Sequence, residues 1–563
     1  MSEYRNSDSL EAWKLRAEKE LKGKPLASLN WTNDAGIDLH PYYTTENSRG
    51  EYPVLSKARQ EQWSIFEPIV VTNAGEANAA ALLALESGAT GLMFKIPASF
   101  NMSELPKLLN QVGLPFIESG FLIHPDHYLD FALALAEFIR KSGWDAREVF
   151  GFVQADFGKV KSAELHTVLN SILEAIPAIS AALSGFRLLV MDAAWFREQG
   201  LNDVQEMGVA LAWFHFWLDE LEQRGIPYAK VNRLWQLNLS SGGDYFLQVA
   251  KFRSIGYLLA QVAEKFGEYA PMYLMGESTR FNMAQADRHT NLLRLTSAAM
   301  SAVQGTANGV VLYPFSKQED PAQMVQRITR NIQLLLHHES NLGAVTDPAK
   351  GSYYVEELSF SLAEKAWDYF LAIEEQGGYL AWIQNGGFDT TAETEAGNML
   401  QRIANRKQFM LGVNQFPGKW PAQLQESERF LWESPLSELV NWKRQTESGE
   451  PVKVHLLVFG DGAMRSARAG FAQNFMGCAD ITVTQELWTP GTPHQTADIL
   501  VLCADDASYE TAVAQVNKGT ASLVLAGHPG EKEAEYKSNG VDYFIHIKSP
   551  LVDTLRTILE GQR

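Results

Sequence analysis

The sequence predicts an α/β protein in which a (β/α)8 barrel of the TIM type is followed by a small doubly wound, Rossmann-like domain. Eight short apolar runs between about 66 and 313 are each separated from the next by a helix-length segment, which is the pattern of a parallel barrel. Five further runs between about 452 and 547 also alternate with helical segments, as in a small doubly wound sheet. Because 563 residues exceed the size of one hydrophobic core, at least two domains are expected.

The predicted strands are short and mostly apolar, as buried parallel strands are. The eight runs of the barrel are "FEPIVVT" (66–72), "TGLMFKI" (90–96), "LPFIES" (114–119), "FGFVQA" (150–155), "FRLLVM" (186–191), "RLWQLNL" (233–239), "PMYLMG" (271–276) and "NGVVLYP" (308–314). The five runs of the second domain are "VKVHLLVFG" (452–460), "ADITVTQE" (479–486), "ADILVLCA" (497–504), "ASLVLAG" (521–527) and "VDYFIHI" (541–547).

Four segments follow from this pattern. Residues 1–50 predict an N-terminal arm with one amphipathic helix, "SLEAWKLRAEKELKG", and an aromatic stretch, "WTNDAGIDLHPYYTT". An arm this aromatic is expected to lie against its own barrel or another subunit. Residues 51–413 predict the barrel with additional C-terminal helices. Residues 414–452 are rich in Pro, Trp and charged residues and predict a linker. Residues 453–563 predict the second domain.

Charge and cysteine content exclude several classes of function. The formal net charge of −19 argues against nucleic acid and anionic membranes as partners. The chain has only two cysteines, Cys478 and Cys503, so no disulfide framework is expected and a reducing cytoplasm fits. Neither a signal peptide nor a run of membrane-spanning length is apparent, so a cytoplasmic location is expected.

The second domain opens with "VFGDGAMRSA", Val458 to Ala467, where an apolar run ends in Gly-Asp-Gly before a helical segment. A cofactor-binding loop at the end of a strand has this appearance. The dinucleotide-binding pattern G-x-G-x-x-G requires a third glycine for close packing of helix on strand, and Arg465 stands there instead. This disfavours a dinucleotide site.

The better match is the cobalamin-binding motif D-x-H-x-x-G, in which a histidine ligates cobalt and the aspartate holds the other ring nitrogen. Asp461 and Gly462 fit the motif. Ala463 replaces the histidine and Ser466 replaces the final glycine. The chain therefore keeps the supporting aspartate without the ligand.

Two later signals of the same motif family also differ. The S-x-L segment after the third strand is Cys503-Ala504-Asp505, and its carboxylate would face the phosphate-bearing tail of the cofactor. The Gly-Gly pair after the fourth strand is Gly527-His528. We interpret the loop as a degenerate motif and expect that no residue of this chain binds the cofactor or a metal.

Several long stretches, among them "WTNDAGIDLHPYY" (31–43) and "DPAKGSYYVEEL" (347–358), resemble the methylmalonyl-CoA mutase family over almost the whole chain. The resemblance implies a barrel plus a cobalamin-binding-type domain, and radical interconversion of methylmalonyl-CoA and succinyl-CoA. It also implies, as in many bacteria, a heterodimer of a catalytic subunit and a diverged subunit without cofactor. The matching stretches are "WTNDAGIDLHPYY" (31–43), "VAKFRS" (249–254), "RITRNIQLLLHHES" (327–340), "DPAKGSYYVEEL" (347–358), "EEQGG" (374–378) and "GVNQF" (412–416).

The catalytic pattern of the family is changed at most of the positions that can be matched. Catalytic subunits carry S-G-Y-H after a barrel strand, where this chain has Asp192-Ala193-Ala194-Trp195. They carry W-T-I-R-Q-Y near the barrel entrance, where residues 63–68 are W-S-I-F-E-P. Leu457 replaces a lysine before the motif aspartate, and Glu164 replaces an arginine that pairs the substrate carboxylate. The resemblance thus implies a small subunit with no catalytic residue.

Gln154 is the one surviving candidate for substrate contact, because it matches the glutamine of a family Q-N-D segment. An amide at the end of a strand more often satisfies backbone groups. In this family the substrate threads down the barrel axis, which needs small polar linings. The strands "LMFKI", "RLLVM" and "PMYLM" instead supply bulky Met, Phe and Leu, the usual filling of a closed barrel.

Other conspicuous residues have simpler interpretations. His124 and His127 in "HPDH" are expected to belong to a helix start, and His337-His338-Glu339 to a helix end, rather than to metal sites. Trp195 is expected to fill space. Asp461 is expected to cap the helix that follows it.

Three functions fit these observations. The first is a non-catalytic small subunit that supports the catalytic large subunit of an adenosylcobalamin-dependent methylmalonyl-CoA mutase, with the cofactor held by the partner. The second is an acyl-CoA mutase that is active alone and binds cobalamin in an atypical way. The third is a scaffold or binding protein that has left the mutase complex. The sequence favours the first, because both domains are kept while the chemistry is lost from each.

Overall fold

The computed structural model describes residues 10–55, 62–159, 163–316, 321–424, 431–447 and 450–562. The chain divides into two compact units, one of Met1–Arg280 with Leu292–Glu393 and one of Phe281–Asn291 with Thr394–Arg563. The sequence-based domain boundaries stay predictions. Residues 1–9 of the predicted arm and 425–430 and 448–449 of the predicted linker lie outside the described residues.

The first unit contains a parallel barrel with a strand in, or overlapping, every one of the eight predicted runs. Its strands pair in the order β7-β6-β5-β4-β3-β11-β10-β9-β8, after a short antiparallel pair, β1 and β2. The strands are β1 (Trp31–Thr32), β2 (Asp38–Leu39), β3 (Ser64–Val70), β4 (Gly91–Lys95), β5 (Glu118–Ile123), β6 (Phe150–Ala155), β7 (Phe186–Arg187), β8 (Leu189–Asp192), β9 (Trp235–Ser241), β10 (Tyr273–Ser278) and β11 (Gly309–Val311).

The barrel closes through the fifth run, which Leu188 interrupts. The part before Leu188, β7, pairs with β6, and the part after it, β8, pairs with β9. All ladders in this ring are parallel, as the sequence predicts.

The third strand begins later than the run "LPFIES" predicts. Leu114–Phe116 forms a 3-10 turn, and the strand starts at Glu118. Pro115 has no N–H to donate to a ladder and suits the first positions of a helical turn. Phe116 is consequently 89% exposed.

Helices connect most of the strands in both units. Side-chain caps fix several of their starts: Asn73 caps α2, Asn202 forms a capping box with Gln205 at α7, and Asp244 caps α9. The helices are α1 (Leu10–Glu20), α2 (Ala74–Glu86), α3 (Leu105–Leu108), α4 (Tyr128–Lys141), α5 (Leu165–Ile179), α6 (Ala193–Glu198), α7 (Asp203–Gln223), α8 (Tyr228–Val231), α9 (Tyr245–Ala263), α10 (Thr290–Gln304), α11 (Ala322–His338), α12 (Tyr353–Glu375), α13 (Gly378–Gln384), α14 (Gly387–Ala404), α15 (Ser434–Thr446), α16 (Gly462–Gly477), α17 (Asp506–Gln515), α18 (Glu533–Ser538) and α19 (Leu551–Glu560).

The second unit contains the predicted five-stranded parallel sheet, in the order β13-β12-β14-β15-β16. The expected alternation with helical segments is wrong at one place, because residues 488–498 between β13 and β14 form no helix. Successive residues of its strands enter opposite cores: Leu456 and Val501 pack in one, Leu457 and Leu502 in the other. This is a doubly wound sheet whose ligand edge is formed by the carboxyl ends of the strands. The strands are β12 (Val454–Val458), β13 (Val483–Leu487), β14 (Ile499–Cys503), β15 (Ser522–Ala526) and β16 (Tyr543–Ile545).

The described part of the N-terminal arm lies on the outer helix α12. Trp31 and Tyr43 pack on Tyr354, with ring centroids 6.5 and 5.9 Å away. Arg49 pairs with Glu357 at 2.8 Å and with Glu364 at 2.7 Å. No helix in the described part of the chain is both long and apolar enough to cross a membrane.

Candidate functional site

The loop between β12 and α16 is held by its own aspartate. Gly460 has φ 78°, which only glycine adopts without strain, and the chain then turns into α16. The Asp461 carboxylate accepts the amide N–H groups of Ala463 at 3.2 Å and Met464 at 3.3 Å. The predicted capping role of Asp461 is therefore confirmed.

Asp505, after β14, connects the next strand end to this loop. Its Oδ2 accepts the backbone N–H of Asp461 at 2.9 Å and the Ser508 hydroxyl at 2.7 Å. Its Oδ1 accepts the Ser508 N–H at 3.1 Å, which caps α17. The hydrogen bond from the Asp461 amide, followed by that from the Ser508 hydroxyl, lowers the pKa of Asp505 to about 2.

Two further side chains, which the sequence analysis did not single out, close the same edge of the sheet. The Arg468 guanidinium donates to the Ala504 carbonyl at 2.7 Å and to Asp506 at 2.6 Å. The buried Tyr509 hydroxyl donates to the Ala526 carbonyl at 2.6 Å and accepts the Ala504 N–H at 3.0 Å. These contacts join the ends of β14 and β15. The roles of Arg468 and Tyr509 become apparent only in the fold, because most of their partners lie 17 to 38 positions away in the sequence.

The residues at this edge do not fit cobalamin chemistry. Ala463 offers no cobalt ligand, and the Asp461 carboxylate that would orient an imidazole is used for capping. The Ser466 hydroxyl donates back to the Gly462 carbonyl at 2.9 Å. The ring of His528 lies beside that of His546, at 4.7 Å between centroids, where the family motif has a glycine.

Bulky side chains fill the middle of the barrel, as the strand composition predicts. Phe66, Met93, Phe152 and Met275 are buried in one interior cluster with Val190, Tyr273 and Val311. The fit is close: a Cβ added at Gly120 would lie 2.2 Å from the Phe152 ring. Interior layers of this kind make a packed core rather than a channel.

A polar layer closes the amino-terminal end of the barrel. The Arg187 guanidinium donates to Glu118 at 2.6 Å and to Gln236 at 2.8 Å, and it lies 3.7 Å from the centre of the Tyr273 ring. The Tyr273 hydroxyl in turn donates to Glu118 at 3.2 Å. Strand composition did not predict this layer, because its members come from four separate runs.

A second polar layer closes the carboxyl-terminal end, where catalytic groups of such barrels usually lie. Asn238 donates to Gln154 at 3.0 Å and to Glu277 at 2.8 Å, and Gln154 donates to Asp192 at 2.9 Å. The Tyr313 hydroxyl donates to Glu277 at 2.6 Å. The amide of Gln154, which is 3% exposed, is thus engaged with other side chains of the barrel.

Burial governs the titration of the two carboxyl groups in this layer. Desolvation, and then repulsion from Glu277, raises the pKa of Asp192 well above its usual value. Desolvation also raises the pKa of Glu277, although the Tyr313 hydroxyl opposes this effect. The two acids lie at the carboxyl ends of β8 and β10, on either side of β9, and the hydrogen-bonded amides of Gln154 and Asn238 connect them. The charge on one acid therefore affects the titration of the other.

The remaining candidates lie where simple structural roles place them. Trp195 packs on Phe196 and Phe388, with ring centroids 5.0 and 5.3 Å away. Glu164 is exposed at the start of α5. His124 accepts the Asp126 N–H at a 3-10 turn before α4, and His337 and His338 end α11, as expected. No group of three or more metal-ligating side chains occurs among the described residues.

Two of the stretches that carry the family resemblance meet in a buried ion cluster. Arg253 of "VAKFRS" donates to Asp347 at 2.7 Å and to Glu356 at 2.9 Å, both from the stretch 347–358. Glu356 also accepts the backbone N–H groups of Gly351 and Tyr52, both at 2.8 Å. These shared residues hold the chain together, and none of them faces the barrel interior.

Comparison with known proteins identifies the family. A sequence model described as methylmalonyl-CoA mutase matches residues 101–456. A methylmalonyl-CoA mutase small subunit of Porphyromonas gingivalis is 30% identical, over 97% of this chain and 96% of its own length. Small subunits of Streptomyces virginiae and Propionibacterium freudenreichii are 26% and 25% identical, over 89% and 98% of this chain and 88% and 94% of their own lengths. The chain belongs to the methylmalonyl-CoA mutase family, and it resembles the small subunits of that family along its length.

Proposed function

We propose that this chain is the non-catalytic small subunit of a heterodimeric, adenosylcobalamin-dependent methylmalonyl-CoA mutase. In this proposal a catalytic large subunit holds the cofactor and interconverts methylmalonyl-CoA and succinyl-CoA. The chain contributes to an isomerase as a structural partner and is inactive alone. The names of its relatives as small subunits support a partner subunit.

The observation that carries the proposal is the filling of the barrel axis at three levels. Arg187 with Glu118 occupies the amino-terminal end, Phe152 with its cluster the middle, and Gln154 with its network the carboxyl-terminal end. An acyl-CoA chain that runs along the axis needs that space. Opening it would require breaking a partly buried ion pair and disrupting a packed core, and the loss of core packing alone costs several kcal/mol.

The second domain supports the same proposal from its own residues. The carboxylates of Asp461 and Asp505 accept hydrogen bonds from backbone N–H groups of the chain itself, and Ala463 supplies no imidazole. Both domains of the family architecture are therefore kept without the groups that the chemistry needs. A retained surface that supports a catalytic partner explains why the architecture persists.

The test is co-expression with the catalytic large subunit from the same organism. Native mass spectrometry should show a one-to-one complex, and conversion of methylmalonyl-CoA should require the large subunit. The purified chain alone should show no turnover with adenosylcobalamin. Turnover in preparations free of any second chain would instead support an independently active mutase. Failure to co-purify with the large subunit would support a separate scaffold role.

A further inference from the structure

The loop that contains Gly460 is pressed against a carboxylate from another part of the chain. A Cβ placed on Gly460 would lie 2.3 Å from Oδ2 of Asp505 and 2.7 Å from the Ser508 hydroxyl. The loop can approach the start of α17 this closely only because residue 460 has no side chain. A residue with a side chain at position 460 would therefore push Asp505 away from the loop.

The backbone N–H of this loop donates to the Asp505 carboxylate in the way that such loops donate to a bound anion. Backbone N–H groups in a glycine turn before a helix point outward at the carboxyl edge of a parallel sheet, where α/β proteins bind oxoanions. Here the N–H of Asp461 points at the Asp505 carboxylate, at 2.9 Å. The Asp461 side chain accepts the amide N–H groups of Ala463 and Met464, which come later in the same turn.

We propose that Asp505 is a built-in anion that occupies the oxoanion position of the loop between β12 and α16. It holds the first turn of α16 in place without any bound ligand. It also excludes an external phosphate or carboxylate, both by filling the position and by its charge. This role does not depend on a partner subunit and goes beyond the proposed function.

Hydrogen–deuterium exchange of the full-length chain tests the proposal through peptides that cover 460–468. In Asp505→Ala, exchange of these amides should rise roughly tenfold, because the first turn of α16 loses a charge-assisted bond. Sodium acetate, which supplies a free carboxylate, should restore most of the protection. Sodium chloride at the same ionic strength should not, and neither salt should alter the wild-type chain.

Two variants separate this role from simple capping of α17. Ser508→Ala removes one hydroxyl bond to Asp505 but leaves the bond from Asp461, so the 460–468 peptides should exchange as in the wild type. Asp505→Asn keeps an acceptor without charge and should exchange at an intermediate rate, which serves as the test if the alanine variant does not fold. The proposal is overturned if exchange is unchanged in both Asp505 variants, or if acetate and chloride act alike.

Discussion

Arg253 and Glu356, 103 positions apart in sequence, form a hydrogen-bonded ion pair of 2.9 Å in which both side chains are almost fully buried. The second guanidinium edge donates to Asp347, and Glu356 also accepts the backbone N–H of Tyr52. One ion cluster thus joins α9, the start of α12 and the residues that directly follow the N-terminal arm. Its three charged residues belong to the stretches that carry the family resemblance, so that resemblance records a shared scaffold more than shared chemistry.

The first prediction concerns this cluster. Arg253→Met should lower the free energy of unfolding by about 3–5 kcal/mol, because it leaves the carboxylates of Asp347 and Glu356 buried without a cation. Urea denaturation followed by circular dichroism measures the change. The matched control is Arg16→Met, since Arg16 is 83% exposed and its pair with Glu20 should contribute under about 1 kcal/mol. Equal effects of the two variants would contradict a structural role for the cluster.

Positions of strands could be predicted from the sequence because each depends on a local apolar run. The start of the third strand could not be predicted in this way, because Pro115 and Phe116 form a 3-10 turn instead of the first positions of the strand. The capping role of Asp461 was predictable for the same local reason.

The contacts of the candidate site could not be predicted in this way. Gln154, Asn238 and Glu277 lie on three different strands, and only barrel register brings their side chains together. Sequence comparison treated Asp505 as a group that would repel a phosphate. Its partner, the N–H of Asp461, is 44 positions away and became apparent only from the pairing of β12 with β14.

The second prediction concerns pH. Burial and Glu277 raise the pKa of Asp192, so the folded chain retains a proton that the unfolded chain releases at lower pH. The stability that this proton contributes is complete below the unfolded pKa and is lost as pH rises through the folded pKa. Asp192→Asn should therefore flatten the fall of unfolding free energy above about pH 4, by at most about 1.4 kcal/mol per pH unit.

Denaturant titrations at a series of pH values measure the slope of unfolding free energy against pH. This slope is informative even if the asparagine changes absolute stability through its contact with Gln154. Asp126→Asn is the control, because the side chain of Asp126 is 73% exposed. An Asp192→Asn slope identical to that of the wild type would show that Asp192 titrates like an exposed carboxyl.

The third prediction concerns the degenerate loop. Ala463→His should not create a cobalamin site, although Asp461 is adjacent. The Asp461 carboxylate is committed to two backbone N–H groups, and Asp505 places a negative charge beside the loop. Titration with adenosylcobalamin, followed by visible spectroscopy, should show the spectrum of the free cofactor. A histidine-ligated spectrum at micromolar cofactor would mean that the pocket is intact and lacked only its ligand.

The fourth prediction concerns the arm and rests on the proposed heterodimer. Trp13 stacks on Tyr42 at 5.2 Å, while Trp31 remains 45% exposed, so large rings are available to a partner. Buried aromatic rings dominate interface energies. Deletion of residues 1–45 should therefore raise the dissociation constant for the large subunit, by roughly tenfold or more if even one such ring is a central contact.

The deletion should leave both units folded, because it spares Arg49 at the end of the arm and Tyr52 just after it, and both residues bond to α12. Circular dichroism and the unfolding midpoint check this point. Trp31→Ala is the matched single variant. It removes one ring, whose centroid lies 6.5 Å from that of Tyr354. If the deletion leaves the dissociation constant unchanged, the aromatic residues serve the chain's own barrel, and the partner must bind another surface.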